Sequence, residues 1–581
     1  MVHQYQGSPF VTFQLRSCVF SILFALFLAA CSRNEAPTDS VPMSGDPAVA
    51  ESTAIENALS EITADLMREY VVEISDDKYE GRGPGSRGDA AARQYLAERM
   101  QEIGLVPGAA DGSWEQPFDL IGVTSAQPEE WVFNHDNGSM TLQQWDQFIV
   151  SSGVQSEHAS IDDAEIVFVG YGIQAPEYDW DDFKGQDLSG KVLLIMNNDP
   201  DWDPELFAGE TRLWYGRWDY KYLSAAMQGA AGAIIIHTVP SAGYPFQVVQ
   251  TSWTGEQFEL PAGDEPRNQI NAWITEDSAN ALLAMAGFDL DALRESADNR
   301  DFEPVPLGIS TSLAMDVTVN RVSTANVLGL LPGRDPELSD EVVIYTAHHD
   351  HLGIGTPNDD GDVIYNGAMD NASGVSLVMA IAHALKAMPE APRRSILIAL
   401  VGAEEQGLLG SQHYAENPTF PPGKIAANLN FDGGNIWGNT HDATFIGYGK
   451  SSIDSIIVEI AAEQGRVVKA DQFSDRGYFY RSDQFNFAKI GVPAMYLDTG
   501  TDFVDRAPEW GKEQQNHYTN VNYHQPSDEY DDSWNFDGMI ADAILGFHTG
   551  LVIANADEMP VWNAGDEFEA ARLEALAAEV P

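Results

Sequence analysis

Cysteine is nearly absent from this chain of 581 residues, which contains only Cys18 and Cys31. Both lie within the first 31 positions, so the remainder of the chain cannot form a disulfide bond. Its stability must therefore come from a packed core rather than from covalent cross-links. An apolar fraction of 44% and an aromatic fraction of 10% are sufficient for such a core. At this length two or three domains are expected.

Basic residues are also scarce, because 31 Lys and Arg stand against 89 Asp and Glu, for a formal charge of -58. Such a charge argues against nucleic acids and anionic membrane surfaces as partners. The acids form no repeat, and their pattern is typical of a solvated surface suited to a salty medium.

The N-terminus has the features of a targeting segment. Arg16 precedes an apolar stretch, residues 18–30, that is too short to span a membrane as a mature helix. It ends in Leu-Ala-Ala-Cys, which resembles the bacterial lipobox, and this resemblance implies cleavage before Cys31 and lipidation of its thiol. The alternative is plain secretion with cleavage near the same site. We expect an exported lipoprotein, in the periplasm, on the outer membrane or at the cell surface, with this anchor as its only membrane contact.

The richest chemistry lies between residues 342 and 371. The apolar run VVIYTA predicts a buried strand, and it is followed directly by His348, His349, Asp350 and His351. A polar loop then leads to Asp370, after which the apolar spacing becomes helical. In a parallel sheet, ligands bind at the carboxyl ends of the strands. We therefore expect His348, Asp350 and Asp370 at one edge of a sheet.

The pattern of strand, polar group and helix repeats from residue 313 to about 555. SILIALVGA precedes Glu404 and Glu405, AANLNF precedes Asp432, and a third strand near 492–497 precedes a long acidic loop that contains His524. This alternation predicts an α/β fold with a mixed, mainly parallel sheet flanked by helices.

The polar groups at these strand ends suggest a metal site. A single strand-end Asp is most often a turn former, and an adjacent Glu pair is usually solvated. Two imidazoles together with several carboxylates suit zinc, and a shared carboxylate suits a pair of ions. One glutamate of a pair can then bind metal while the other acts as a general base. His349 and His351 are interpreted as surface or supporting residues rather than as ligands.

Earlier parts of the chain are expected to support this site. Helical spacing is present over residues 54–70 and 90–103, and the glycine-rich turn at 80–88 does not follow a strand, so it is not interpreted as a nucleotide loop. The region from 125 to 312 is predicted to be β-rich. DLSGKVLLIM followed by SAAMQGAAGAIIIH resembles the protease-associated domain, a non-catalytic insert. Because this region contains no ligand set, we expect it to shape access to the site.

The motif order HxD, GAMDNASG, GAEEQGLLGS, NFD and NYHQPSDEYD resembles the di-zinc exopeptidases, which include bacterial leucyl aminopeptidases and the glutamate carboxypeptidase II group. The resemblance implies that Asp370 bridges two zinc ions, that His348 and Asp432 complete one site, and that Glu405 and His524 complete the other. It makes Glu404 the general base and Asp350 the support of His348. The implied organisation is a signal segment with the lipidated cysteine (1–31), a disordered tether (32–53), the first part of the peptidase domain (54–124), the insert (125–312), the catalytic domain (313–556) and an acidic tail (557–581).

The substrate side of the site is less well defined by the sequence. The segment that contains Ser482 and Asp483 matches the family pattern loosely, and a tyrosine there, Tyr478 or Tyr480, should bind the developing oxyanion. His517 competes with His524, but only His524 is followed by the Pro and Asp of the family pattern.

The expected activity is removal of N-terminal residues from peptides. Three arginines, Arg476, Arg481 and Arg506, leave open a carboxypeptidase. A glutaminyl-cyclase-like enzyme on the same site and a non-catalytic binding protein also remain open.

Overall fold

The computed structural model describes residues 47–204 and 206–579, with side chains from residue 52 onward. The signal segment and Cys31 lie outside the described residues, as does most of the predicted tether. The N-terminal elements are α1 (Pro47–Leu59), α2 (Ala64–Ile74), α3 (Arg87–Ile103), β1 (Val106–Pro107) and β2 (Glu115–Ser125). The single helix expected over 54–70 is thus divided in two, because the Thr63 hydroxyl caps the second helix by accepting from the N–H of Leu66.

The middle of the chain, which contains the predicted insert, is built from short strands and helices. These elements are β3 (Glu130–His135), β4 (Gly138–Gln143), β5 (Phe148–Ser152), β6 (His158–Phe168), β7 (Gln174–Ala175), β8 (Trp180–Asp181), β9 (Val192–Met196), α4 (Trp218–Met227), β10 (Gly232–His237), α5 (Val239–Ala242), α6 (Phe246–Ser252), β11 (Glu256–Glu259), β12 (Ile270–Thr275), α7 (Glu276–Met285), α8 (Leu290–Ala297) and β13 (Val305–Leu331). Strands β6, β9, β10 and β12 run parallel, and β5 pairs antiparallel with β12 at the edge.

The last part of the chain alternates strands and helices, as expected. Its elements are β14 (Val342–His348), β15 (Gly353–Ile354), β16 (Ile364–Tyr365), α9 (Gly374–Ala387), β17 (Ser395–Val401), α10 (Leu409–Glu416), β18 (Ile425–Asn430), β19 (Asp442–Ile446), α11 (Ile453–Glu463), β20 (Val467–Ala470), α12 (Gln484–Lys489), β21 (Ala494–Asp498), α13 (Trp510–Val521), α14 (Asp537–Asn555) and α15 (Glu569–Ala578). The acidic loop expected after the third strand therefore contains a helix, α13.

The strands at the centre of the sheet in the last part of the chain are parallel. Neighbouring strands follow the order β17, β14, β18 and β21, all parallel, and the sheet continues through β19 and β20 on one side. Every residue of β14 and β17 is buried, as is typical of a parallel sheet covered on both faces by helices. The mixed, mainly parallel α/β fold predicted from the sequence is confirmed.

One long strand, β13, joins the two halves of the molecule. Its first part pairs antiparallel with β6 (Val305–Asp316 against Phe168–His158), and its second part pairs with β2 and then with β17. Side chains alternate between buried and exposed in the first part and become continuously buried near the end. The domain boundary predicted at 312/313 falls inside this strand.

Helix α14 is mostly apolar, although its sequence includes Asp537, Asp542 and His548. By length and composition it is the one described helix that could cross a membrane, but 67% of its apolar window is buried inside the protein. It packs on α9 and α11 and is a core helix.

Candidate metal centre

Parallel strands bring their carboxyl ends to one edge of the sheet, and three of them are followed closely by the predicted donors. His348 is the last residue of β14, Glu404 and Glu405 follow β17, and Asp432 follows β18. Asp370 lies in the segment Ala368–Ser373, which leads into α9, and its own backbone (φ -111°, ψ 90°) is not helical. The parallel arrangement explains why residues far apart in sequence converge here.

The Asp370 carboxylate lies between two histidines, one on each oxygen. Its Oδ1 is 3.1 Å from Nε2 of His348, and its Oδ2 is 3.5 Å from Nε2 of His524. His348 Nε2 is also 3.2 Å from Asp432 Oδ1, while His524 Nε2 is 2.8 Å from Glu405 Oε2. Two sets of nitrogen and oxygen donors thus share one carboxylate.

Hydrogen bonds among these donors do not satisfy all of them, whereas metal ions would. The Nε2 atom of His524 is buried and has no hydrogen-bond partner of acceptable geometry among the described residues, although two carboxylates surround it. His348, Asp370 and Asp432 have ligand atoms within 4.8 Å of one another, as do His351, Asp370 and Glu405. Imidazole and carboxylate groups in this arrangement suit zinc.

The two glutamates of the candidate metal centre differ in the direction of their pKa shifts. Burial raises the pKa of Glu404 well above its usual value, and the carboxylates of Asp432 and Glu405 add to that effect. For Glu405, burial also acts to raise the pKa, but His524 and His351 outweigh it and lower the pKa to about 2. Glu405 is therefore ionised and suited to bind a metal ion, whereas Glu404 can hold a proton.

Asp350 lies behind both glutamates. Its carboxylate accepts the backbone N–H of Glu404 at 3.1 Å and that of Glu405 at 3.4 Å. Nδ1 of His348 is 3.3 Å from the backbone oxygen of Asp350 and 3.7 Å from its carboxylate. The expected support of His348 therefore comes mainly from the backbone oxygen, while the carboxylate fixes the turn that presents the glutamate pair.

His351 is closer to the centre than expected from the sequence. It is fully buried, and its Nδ1 lies 2.6 Å from Oε1 of Glu405. It thus holds the glutamate oxygen that faces away from His524, or contributes a donor itself. His349 is also buried, and its Nε2 contacts the backbone oxygen of Ala325 at 3.1 Å. Neither histidine is a surface residue.

The loop that carries Asp370 is fixed from two sides. The Asp528 carboxylate accepts the N–H groups of Met369 and Asp370, both at 3.0 Å, so the Asp in the NYHQPSDEYD motif has a structural role. Arg82, from the glycine-rich turn, is fully buried and donates to the carbonyls of four residues: Ile74 (2.8 Å), His349 (2.7 Å), Asn366 (2.6 Å) and Gly367 (3.0 Å). The turn therefore stabilises the loops that carry both histidine and aspartate donors.

Helix α6, from the predicted insert, reaches the metal centre. The Oγ atom of Ser252 lies 2.7 Å from Nδ1 of His524, and Gln247 donates to Gln525 at 2.9 Å. Tyr523 packs on the hydrophobic core of this segment and stacks on the His524 ring with a centroid distance of 3.9 Å. The expectation that residues 125–312 only shape access is therefore incomplete, because Ser252 contacts a candidate ligand directly.

Two cavities open beside the donors. The first, of about 120 Å³, is bounded by Asp370, Glu404 and Asp432. The second, of about 90 Å³, lies against Glu404, Glu405 and His524 and extends towards Arg217. Arg481 and Tyr523 line both cavities. Glu404 therefore borders both cavities.

The substrate residues suggested by the sequence differ in their placement. Tyr478 and Ser482 line the first cavity. Tyr480 lines the second cavity, and its hydroxyl donates to Glu567 at 2.7 Å. Asp483 is fully buried behind the centre and lines neither cavity, so it is not a substrate contact. Of the two candidate tyrosines, Tyr478 is the one that lines the first cavity.

The structure also shows which of the competing histidines and which of the three arginines lie near the donors and the cavities. His517 is exposed on α13, away from the donors, whereas His524 lies among them. Arg476 donates to Asn516 and to the hydroxyl of Tyr478, and Arg506 is exposed over the ring of Trp510. Arg481 is the arginine of the three that lines the cavities.

Comparisons with known proteins agree with this geometry. Residues 326–548 match the sequence model of peptidase family M28. The chain is 24% identical over 295 residues to leupeptin-inactivating enzyme 1 of Streptomyces exfoliatus, a stretch covering 50% of this chain and 61% of that protein. It is 32% identical over 106 residues to the aminopeptidase YwaD of Bacillus subtilis, covering 18% of this chain and 20% of that protein. The chain thus matches less than two thirds of the length of these relatives.

Among solved structures, the aminopeptidase from Aneurinibacillus sp. strain AM-1 has a TM-score of 0.53 at 19% identity, covering 87% of this chain and 97% of that chain. This similarity concerns the fold alone. The family match confirms the resemblance to the di-zinc exopeptidases inferred from the motifs.

Proposed function

We propose that this chain, whose residues 326–548 match peptidase family M28, is a two-zinc exopeptidase that removes residues from the amino terminus of peptides. The observation that carries the proposal is the Asp370 carboxylate, which offers one oxygen to each of two histidine-containing donor sets. His348 and Asp432 would complete one zinc site, and Glu405 and His524 the other. Bound zinc would polarise the scissile carbonyl and make water a better nucleophile.

The protein's own residues account for the remaining steps. Glu404, with its raised pKa and its place at both cavities, takes the proton from the attacking water and passes it to the leaving amine. Tyr478 provides a hydroxyl for the developing oxyanion. Asp350 keeps Glu404 and Glu405 in different orientations through their backbone N–H groups.

The decisive experiment compares aminoacyl-nitroanilides with N-blocked dipeptides, with and without a chelator. We expect hydrolysis of the nitroanilides only, loss of activity with the chelator, and about two divalent ions per active chain. Active enzyme with a metal content near zero would overturn the proposal.

A second candidate function is that of a carboxypeptidase, which recognises the free carboxylate at the C-terminus of a peptide. Arg481 favours it, because its Nη1 atom is buried without a hydrogen-bond partner among the described residues. Hydrolysis of the blocked dipeptides with their free C-terminal carboxylate, but not of the nitroanilides, would select this alternative. Binding of peptides without turnover would instead indicate a non-catalytic binding protein.

We further propose that the protein is exported and anchored through a lipid on Cys31, with residues 125–312 as a protease-associated insert. The lipobox-like sequence before Cys31 and the two insert motifs support these assignments. Cys31→Ser should abolish lipid labelling and release the protein from the membrane fraction. Unchanged membrane retention of this variant would contradict the anchor.

A further inference from the structure

The first cavity contains a carboxylate that the proposed chemistry does not use. Asp498 is the last residue of β21, the fourth parallel strand, and it lines the cavity together with Asp370, Glu404 and Asp432. Its Oδ1 accepts the N–H of the adjacent Thr499 at 2.6 Å. Within the part of the chain that the structure describes, Asp498 forms no ion pair with a basic side chain.

The surroundings of Asp498 disfavour its ionised form when no cation is nearby. Burial raises the pKa of Asp498 to about 7, and the carboxylates of Asp471 and Asp432 contribute in the same direction. Arg481 lines the same cavity, but its guanidinium stacks on Tyr244 and Tyr478 and donates to the hydroxyl of Tyr523. A cation that enters the cavity would therefore stabilise the ionised form of Asp498.

The walls of the cavity also suit a positive charge. Five aromatic rings line it, namely Phe473, Tyr478, Tyr496, Tyr518 and Tyr523. Aromatic faces attract ammonium and guanidinium groups, and they pack well against the methylene stems of long basic side chains. A carboxylate in the wall of a cavity lined by aromatic rings is thus suited to bind an alkyl chain that ends in a cation.

We infer that Asp498 binds a positive charge of the substrate and that the cavity selects peptides with an N-terminal lysine or arginine. This inference rests on the proposed aminopeptidase function, because it assigns the cavity to the residue being released. The shared chemistry is an ammonium or guanidinium group, which can come from the side chain or from the α-amino group of the substrate. The two sources lead to different results when Asp498 is changed.

The test compares lysyl, norleucyl and leucyl nitroanilides on wild type and Asp498→Asn. Norleucine has the same methylene chain as lysine up to its end but carries no charge. With side-chain recognition, the wild-type preference for lysyl over norleucyl substrate should fall by about 10- to 100-fold in Asp498→Asn, as expected for loss of a charged hydrogen bond. With α-amino recognition, kcat/KM should fall for all three substrates by a similar factor, and this result would overturn the inferred selection of N-terminal lysine and arginine. Asp475→Asn is the matched control, because this exposed carboxylate lies on a neighbouring turn and does not line the cavity.

Unchanged kcat/KM for all three substrates in Asp498→Asn would overturn the inference. A binding measurement separates this result from failure of the proposed function. Calorimetry of the zinc-loaded protein with lysine amide and norleucine amide requires no turnover. We expect tighter binding of lysine amide to wild type and a loss of affinity in Asp498→Asn, and equal binding of both amides to both proteins would contradict a cation site. Absence of any chelator-sensitive hydrolysis, with lysine amide binding intact, would instead remove the aminopeptidase assignment and leave the cation site standing.

Discussion

The Oγ atom of Ser252 lies 2.7 Å from Nδ1 of His524, so a residue at the end of α6 fixes the ring of a candidate metal ligand. When Nε2 is free to bind metal, Nδ1–H donates to this hydroxyl, which sets both the tautomer and the orientation of the ring. His524 needs such support because its φ of 57° is in the left-handed region, where a non-glycine residue is strained. The segment that contains α6 therefore contacts the candidate metal centre directly.

Ser252→Ala should weaken metal binding at the site of His524 by about 10- to 100-fold, the usual effect of removing a partner of a ligating histidine. Ser252→Thr should retain most of the affinity, because its hydroxyl can accept the same hydrogen bond. Competition with a chromogenic chelator measures the affinity of each ion. Ser156→Ala, at an exposed position of the same segment, is the control, and equal affinities in all variants would show that Ser252 is only a packing residue.

Changes at the glutamate pair should separate proton transfer from metal binding. Glu404→Ala should keep its metal and lose about 10²- to 10⁴-fold in kcat, because the proposed role of Glu404 is to carry the proton. Glu405→Ala should lose one ion and some thermal stability, since metal binding contributes to folding free energy. Metal analysis and steady-state kinetics on the same samples test both statements, and the reverse pattern would exchange the two roles.

Arg82→Met should destabilise the protein strongly. The buried guanidinium satisfies four backbone carbonyls, and its removal leaves them without donors, so we expect a loss of about 3 kcal/mol or more in the free energy of unfolding. Urea denaturation of the metal-free protein measures this without the contribution of bound ions. Arg87→Gln, whose side chain is 82% exposed in the same turn, should leave stability nearly unchanged. A loss of similar size in both variants would argue against a specific role for Arg82.

The pH dependence of stability should reveal a buried neutral histidine in β10. Burial lowers the pKa of His237 to about 4, and its Nε2 donates to the carbonyl of Tyr244 at 3.1 Å. In the unfolded chain histidine titrates near pH 6.5, so the unfolded state binds the proton first as the pH falls. Stability is therefore lost between about pH 6.5 and pH 4, by up to about 3 kcal/mol from this residue.

His237→Gln keeps a donor for Tyr244 but cannot titrate. The difference in unfolding free energy between wild type and this variant should change with pH over that interval and stay constant above about pH 7. Urea titrations at pH 7.5, 6 and 5 provide the comparison. A difference that does not depend on pH would mean that His237 is protonated in the folded state as readily as in the unfolded state.

The sequence is informative wherever one local pattern determines the structure. Buried runs such as VVIYTAH and SILIALV specify strands by themselves, and polar residues directly after them must lie at one edge of a parallel sheet. For that reason His348, Asp370, Glu404, Glu405 and Asp432 can be grouped before their geometry is known.

Residues whose role depends on the approach of distant segments cannot be identified in this way. Ser252 lies in an ordinary helical stretch, 272 positions before its partner, and nothing in its neighbourhood marks it. Arg82 carries a signal, because an arginine within a glycine-rich turn can bring a cation close to backbone carbonyls. Asp498 also has a recognisable sequence context, since it is the last residue of a buried strand and Asp432 directly follows another. The apolar pattern, however, predicts only that the strand of Asp498 belongs to the sheet. The division of the first helix and the presence of α13 depend on capping and tertiary packing, which apolar spacing alone does not encode.

The continuous strand β13 has a consequence for how this chain can change in length. The eleven residues that pair with β2 form one uninterrupted run, whereas the earlier pairing with β6 contains register shifts between Pro306 and Ile309 and between Thr311 and Leu313. An inserted or deleted residue in the middle of that run would turn every following side chain to the opposite face of the sheet, because the direction of side chains alternates along a strand. Substitutions at its exposed positions carry no such penalty. Natural variation in length between relatives should therefore accumulate in surface loops, while the number of residues between Val317 and Val327 stays constant.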